Sequence, residues 1–465
     1  MTPSSTSTLS AESTAIPCAV WSSTFVQILG RVGASLCQLA VLLLLARRLE
    51  AAEFGRLTFY LALFLFLDVF TDFGSATAAL ERGASGGTEF RRALSAGRRV
   101  RTGTALLSVL GVALGVFLAR EEDLAWILGA ALVFLTRPLE LSSIVFQNRI
   151  AWTKPVFWRT FAAFLRLGFA LLAWSLGARS FGPFLLAHAA GGALGNVLVH
   201  LAARRELHAP APPQRGPPRD PPRGPSAHAE PLALSAFLAR ALPLAATGIL
   251  QQAYFYVDNL FVRPLAGDEE LGRYNACVKL FSFAVLVASY VSSSAFPWLV
   301  RRREAGGPAE LGRATLRLSL PLTLGACTVL GGVFPFAGPL LRLVFGPDFA
   351  SAASALRWLL AAAAVVHAGS GLLTGVLATG RMRAVLAITL AGLALNVLLN
   401  LALVPERGIE GAALATFLTE ALVALLSVAT LLAAGARALL HPAWLAGPVL
   451  FVATAGLTSF AASLA

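Results

Sequence analysis

Long apolar runs of about 20 residues, the length of a transmembrane helix, follow one another along the chain, separated by short polar connections. At 1.5 Å per residue, such a helix crosses the ~30 Å hydrocarbon core of a bilayer. A run at 443–464 is a candidate thirteenth span. The pattern predicts an all-α integral membrane protein with about 12 transmembrane helices. The predicted spans lie at 22–46, 55–80, 99–119, 123–147, 156–177, 181–203, 232–262, 273–299, 310–336, 351–379, 384–404 and 409–434.

The longest internal polar stretch, residues 204–231, separates the sixth predicted span from the seventh. Its sequence, RRELHAPAPPQRGPPRDPPRGPSAHAEP, is rich in Pro and Arg, which indicates an extended linker in water. Because six spans lie on either side, we expect two pseudo-symmetric six-helix bundles. The predicted organisation is a polar tail, a first bundle, the linker, a second bundle and a C-terminal apolar segment, at 1–21, 22–203, 204–231, 232–434 and 435–465.

Composition supports a membrane protein. Hydrophobic residues make up 57% of the chain and charged residues 13%, against about 45–50% and about 25% in soluble domains. The net charge of +13 does not indicate nucleic-acid binding, because most Arg residues lie in short connections between spans. The more basic of the two alternating sets of connections is expected on the cytoplasmic side. This places the N-terminus and the linker in the cytoplasm.

Motifs for catalysis or cofactor binding are missing. The four cysteines have no CxxC or Cys/His spacing, so we expect neither a disulfide nor a metal site. The chain has no GxGxxG after a strand, no Walker sequence, no HExxH and no GxSxG. The first twenty residues lack a basic region, so no cleaved signal peptide is expected. These observations predict a non-enzymatic protein without a cofactor.

A short motif occurs once in each predicted bundle. Glu53-Phe54-Gly55-Arg56 lies between spans one and two, and Glu270-Leu271-Gly272-Arg273 lies between spans seven and eight. An even number of spans separates the copies, so both face the same side of the membrane. This predicts parallel repeats related by an axis along the membrane normal, a layout that secondary transporters use.

Five motifs in order resemble one transporter family. They are LARRLEAAEFGRLTFYLALFLFLDVFTDFGSATAAL (45–80), YFYVDNLFV (254–262), LGRYNACVKL (271–280), LVFGPDFASAASALRWL (343–359) and GIEGAALAT (408–416). Their order and spacing are similar to those of bacterial polysaccharide and oligosaccharide flippases of the multidrug/oligosaccharidyl-lipid/polysaccharide exporter superfamily. The resemblance implies alternating access between two rocking halves.

Ionisable residues within apolar spans mark candidate functional sites, because they are costly in the bilayer and generally face a cavity or a partner. We expect four of them to bind the diphosphate of a polyprenyl-linked sugar, since guanidinium groups match phosphate geometry. The candidate substrate-binding residues are Arg31, Arg137, Arg166 and Lys279. Acidic side chains in the spans are candidates for coupling to protons or sodium. They are Asp68, Asp72, Glu140, Asp258 and Glu420.

Structural roles compete with these assignments. Arg137 and Glu140 are three residues apart and can neutralise each other, and Asp72 can end a helix at the following Phe-Gly. Asp68 can instead make an interhelical hydrogen bond. Asn396 and Asn400 are expected to bind neighbouring helices. The single histidines His188, His200 and His367 are weak evidence of a site.

The resemblance implies a transporter that flips a polyprenyl-diphosphate-linked oligosaccharide for surface polysaccharide synthesis. Its expected partners are the lipid bilayer, a polysaccharide polymerase and glycosyltransferases. One alternative is an ion-coupled multidrug exporter of the same superfamily, although surplus cations disfavour cationic drugs. Another is a membrane polymerase or glycosyltransferase acting on lipid-linked sugars, although the outward connections are short and none contains an Asp-x-Asp pair. A lipid-linked peptidoglycan precursor is a further substrate that the residues do not separate from other polyprenyl diphosphates.

Overall fold

The computed structural model describes residues 33, 37–38, 40–83, 87–148, 153–208 and 234–464, and every regular element in them is a helix. This confirms the predicted all-α class. Arg31, the N-terminal tail and the linker beyond residue 208 lie outside the described residues. Residues 40–46 are the end of a helix that precedes the first complete element.

The N-terminal half, residues 40–208, contains eight further helices in the described ranges. They are α1 (Ala51–Asp72), α2 (Ser75–Gly83), α3 (Gly87–Leu118), α4 (Leu124–Ala131), α5 (Arg137–Glu140), α6 (Ile144–Asn148), α7 (Thr153–Ser175) and α8 (Phe181–His208). Helix α1 ends where Phe73 and Gly74 adopt positive φ angles of 47° and 66°. The predicted span 55–80 therefore breaks at the Asp-Phe-Gly sequence. The predicted span 123–147 is interrupted by 3-10 turns at Leu132–Thr136 and Leu141–Ser143.

The C-terminal half, residues 234–464, contains two helices that glycines divide. Helix α9 (Leu234–Val333) has non-helical backbone at Gly267, Gly306 and Gly307. We call its parts α9a (234–266), α9b (268–305) and α9c (308–333). Helices α10 (Ala337–Val344) and α11 (Ala353–Ala378) follow. Helix α12 (Met382–Ala433) is broken at Gly408 into α12a (382–407) and α12b (409–433), and α13 (Ala446–Leu464) ends the chain.

Length and composition show that these helices can cross a membrane. Seven segments of the described chain are long enough and apolar enough to cross a membrane. Two of these segments contain the glycine-divided helices α9 and α12. Large apolar side chains are also exposed on outer faces, such as Leu110, Leu114 and Phe117 on α3. Such faces are stable against lipid. The count of twelve spans stays a prediction, because most of 22–46 lies outside the described residues.

The two copies of the repeat motif meet where the halves cross. A Cβ atom on Gly55 would lie 2.8 Å from the backbone N of Gly272, and one on Gly272 would lie 2.9 Å from that of Gly55. Three residues further along each copy, Asn275 donates a hydrogen bond of 2.9 Å to Thr58. Equivalent residues thus touch each other, as they do at a two-fold axis. Only glycine allows α1 and α9b to approach this closely.

The buried cores show that the halves share a core at one end. One cluster combines Phe54 with Phe345 and Phe349 of the other half, and the Phe54 ring lies 5.4 Å from that of Phe349. We call this the distal end, defined by the connections 47–50, 119–123, 263–272 and 345–352. Towards the linker, each half has its own cluster, and the first residues of α9a pack with the N-terminal half.

Candidate functional site

Two predicted substrate-binding residues make no hydrogen bond or contact ion pair with the described part of the chain. Arg166 on α7 is partly buried, and its Nε atom is fully buried without a partner. Asp68 and Glu140 act on Arg166 only through space, since both contact Arg137. Lys279 on α9b is also partly buried and makes no hydrogen bond or ion pair with the described residues. These cations come from different halves. Their contacts leave both available to an anion.

Glycines on α8 allow helix α7 to pack closely against α8 at Arg166. A Cβ on Gly191 would lie 2.8 Å from the Arg166 backbone, and one on Gly192 would lie 3.3 Å from its Nη2 atom. Gly195, one turn further, packs on Ala162 without touching Arg166. The α7–α8 seam therefore fixes the guanidinium through close backbone contact.

Arg137 is compensated by two of the predicted ion-coupling carboxylates. Its Nη2 atom pairs with Asp68 on α1, and its Nη1 atom lies 3.0 Å from Oε2 of Glu140. This geometry favours the structural alternative for the Arg137–Glu140 pair, with Asp68 as a second partner. A buried cation with two carboxylates needs no ligand for compensation.

Asp72 is compensated in the same region. Arg101 on α3 pairs with its carboxylate, and the Ser75 hydroxyl donates a long hydrogen bond of 3.5 Å. Arg101 also donates to Ser75 at 2.9 Å and lies 3.7 Å from Glu140. Asp68, Asp72 and Glu140 thus belong to one network with two arginines.

The remaining two candidate carboxylates, in the C-terminal half, are held by neutral donors. Asp258 on α9a accepts hydrogen bonds from Tyr274 at 2.6 Å, Asn400 at 2.9 Å and Thr416 at 3.1 Å. Glu420 on α12b accepts one from Tyr254 at 2.8 Å. No described Arg or Lys pairs with either carboxylate. Asn400 contacts a neighbouring helix, as expected, and does so at this carboxylate.

A charged network closes the distal end. Arg263 of the C-terminal half lies 2.5 Å from Glu121 of the N-terminal half and 2.7 Å from Asp268. Arg56 lies 2.7 Å from Asp123 and 3.3 Å from Glu121. We call these five residues the distal network. Burial raises the pKa of the Glu121 carboxyl, but Arg263 and Arg56 together lower that pKa below its ordinary value.

Sequence reasoning missed the distal network and one histidine. The sequence analysis names Arg56 only as part of the repeat motif and does not single out the acidic members of the network, although charges of both signs in facing connections are a usable signal. His188 on α8 lies within electrostatic range of Arg166, Arg137 and Lys279. The described residues contain no group of three His, Cys, Asp or Glu side chains that could hold a metal ion.

Comparison with known proteins identifies the family. A family model described as "Polysaccharide biosynthesis protein" matches residues 20–302, and one described as "MatE" matches residues 243–402. No curated protein matches the chain significantly.

Solved structures share the fold at low sequence identity. The lipid II flippase MurJ in an inward closed conformation is 12% identical, with a TM-score of 0.63 over 94% of this chain and 99% of that chain. An inward-facing multidrug resistance MATE transporter of the MOP superfamily is 13% identical, with a TM-score of 0.60 over 87% and 94%. A mutant of the Vibrio cholerae MATE transporter VcmN is 14% identical, with a TM-score of 0.55 over 90% and 97%.

The fold and the family matches define a multi-pass membrane transporter of the multidrug/oligosaccharidyl-lipid/polysaccharide exporter superfamily, and not an enzyme. Within that superfamily, the chain belongs to the polysaccharide biosynthesis protein family, whose model matches more than half of it.

Proposed function

We propose that the protein flips a polyprenyl-diphosphate-linked oligosaccharide across a bacterial inner membrane for surface polysaccharide synthesis. Movement occurs by alternating access, with the diphosphate held between the two halves and the lipid tail in the bilayer. The N-terminus and the linker lie in the cytoplasm, where the more basic connections are expected. A polysaccharide polymerase and glycosyltransferases act after and before this step.

The observation that carries the proposal is the unpaired state of Arg166 and Lys279. A partly buried cation without a contacting carboxylate has lost hydration that distant carboxylates compensate only in part, which is unfavourable until an anion binds. The two cations come from opposite halves and both act electrostatically on His188, which supports a diphosphate held between them. Arg137 belongs to the same region, but its two carboxylates already compensate it. Arg31, outside the described residues, stays a candidate for the same role.

Ion coupling is best supported at Asp258 and Glu420. Both carboxylates have only neutral hydrogen-bond donors among the described residues, so a proton or a sodium ion would compensate their charge. The Asp258 carboxylate and the Thr416 hydroxyl supply oxygens that suit a hard cation, and the Oδ1 atom of Asn400 is buried without a described partner. Asp68, Asp72 and Glu140 are weaker candidates, because arginines already pair with them.

Export of cationic drugs is the second candidate function. The MatE model matches residues 243–402, which include Asp258, and two of the structural neighbours are MATE transporters. Asp258 and Glu420 could then bind a drug cation. Arg166 and Lys279 argue against this function, because cations without a contacting carboxylate repel a cationic substrate that passes between the halves.

Reconstituted flipping separates these functions. Purified protein in proteoliposomes would receive a fluorescent polyprenyl-diphosphate oligosaccharide, with and without a proton or sodium gradient. We expect protein-dependent movement that follows one gradient and is reduced about tenfold or more in Arg166→Gln and Lys279→Gln. A cationic dye in the same vesicles tests the alternative. Dye transport without lipid movement, with several sugar heads tried, would replace our proposal with drug export.

A further inference from the structure

His188 lies beside the unpaired cations of both halves. It precedes Gly192 by one helical turn, and a Cβ on Gly192 would lie 3.3 Å from Nη2 of Arg166. Residues four apart on a helix share a face, with Cβ atoms roughly 5–6 Å apart. The imidazole is in electrostatic range of Arg166, Arg137 and Lys279. It therefore faces the same space as the proposed diphosphate site.

The imidazole of His188 also differs from those of the other membrane histidines. His200, further along α8, hydrogen-bonds to Ser142 at 2.7 Å. His367 on α11 hydrogen-bonds to the backbone oxygen of Ala363 at 2.7 Å. His188 makes no hydrogen bond or ion pair with the described residues. The ring is half-buried beside three cations, so its nitrogens can reach an anion that binds there.

We infer that His188 is a third anion-binding residue of the proposed diphosphate site, donating its ring N–H to a phosphate oxygen. The inference rests on the proposed function. Both protonation forms of imidazole carry an N–H donor, so the bond forms in either. Only cations act on His188, while the nearby carboxylates Asp68 and Glu140 bind Arg137. The ligand that suits this surrounding is an anion.

The three residues divide the recognition of one ligand. Arg166 offers a planar guanidinium, Lys279 offers a mobile ammonium, and His188 offers a single directed donor. They come from α7, α9b and α8, so an anion that contacts all three bridges the halves. The imidazole contributes to phosphate recognition and leaves the contacts of the prenyl chain unchanged.

The test is binding of a long-chain polyprenyl diphosphate to the full-length protein in nanodiscs, with polyprenol as the phosphate-free comparison. His188→Leu removes the donor at similar size, and His188→Gln keeps a neutral donor. His200→Gln is the matched control on the same helix. We expect His188→Leu to weaken diphosphate binding about tenfold, the effect of losing one hydrogen bond to a charged group. His188→Gln should stay within about threefold of wild type, and polyprenol binding should not change.

The outcomes distinguish a failure of the His188 inference from a failure of the proposed function. Wild-type-like diphosphate binding by His188→Leu, alongside weakened binding by Arg166→Gln and Lys279→Gln, would overturn this inference alone. Equal weakening of diphosphate and polyprenol binding would also overturn it, because the residue would then act through packing. Absence of diphosphate binding by the folded wild-type protein would overturn the proposed function together with the inference.

Discussion

The cations of the distal network and those of the proposed diphosphate site differ in their contacts. We call Arg166 and Lys279 the central cations. At the distal end, Arg56 and Arg263 each contact at least two carboxylates, and Arg263 also stacks over Phe59 at 4.4 Å. The central cations make no hydrogen bond or contact ion pair with the described residues. A cation in contact with carboxylates connects protein segments, whereas a cation without such a contact is available to bind an anionic ligand. The contact partners of a charged residue therefore indicate its role better than its position in an apolar span does.

The largest effect is expected from neutralising the central cations. Arg166→Gln and Lys279→Gln should each lower flipping about tenfold to a hundredfold, the range for losing a hydrogen bond to a charged group. Folded yield should stay normal, because removing an uncompensated charge does not strand a partner. The proteoliposome assay measures the first quantity and size-exclusion chromatography the second. Arg273→Gln is the control, since its partners Glu269, Glu270 and the backbone oxygen of Asp348 all lie in the C-terminal half.

At Arg137, we expect a substitution to lower stability, in contrast to the central cations, where it should lower flipping. Arg137→Ala leaves Asp68 without its contacting cation and Glu140 with only Arg101, so it should lower the free energy of unfolding by about 1–3 kcal/mol after allowance for partial exposure. Adding Glu140→Ala, and then Asp68→Asn, should restore stability stepwise. Thermal unfolding of the single, double and triple variants measures the coupling. A stable Arg137→Ala protein that no longer flips lipid would make Arg137 a ligand-binding residue and break the contrast.

A smaller effect is expected on the conformation of the distal end. Arg263→Gln removes contacts with Glu121 across the halves. Open distal states should increase at least about threefold, the effect of losing an exposed ion pair, because this pair is mostly buried. Double electron–electron resonance measures the distance between spin labels at Arg179 and Arg342, which are both exposed at that end. Arg273→Gln again serves as the control. An unchanged distance distribution would assign closure to the Phe54, Phe345 and Phe349 cluster.

The helices were predictable and most of the charge pairing was not. Bilayer-length apolar runs are local signals, so spans such as 156–177 and 409–434 lie close to α7 and α12b. The Arg137–Glu140 pair is also local, three residues apart on one turn. By contrast, Arg263 and Glu121 are 142 residues apart, and Arg137 and Asp68 are 69 apart. Such contacts depend on the rotation of packed helices, which a single sequence does not specify.

The smallest expected effect is acid loosening of the distal end. Burial raises the pKa of Glu121, but Arg263 and Arg56 outweigh that effect and hold it below its ordinary 4.5. A carboxyl with a lowered pKa contributes stability above its ordinary value and loses it as the pH falls through the lowered one. We expect the distance between the spin labels to stay constant from neutral pH down to 4.5 and to increase only below it.

Glu121→Gln separates this titration from general acid denaturation. The variant lacks the titrating carboxyl, so it should show a slightly larger distance at neutral pH and a weaker response to acid. Asp123 and Asp268 still hold Arg56 and Arg263 in it, which limits the effect. If the variant responds to acid as fully as the wild type, the distal network does not depend on Glu121, and the contrast with the unpaired central cations would then rest on Asp123 and Asp268.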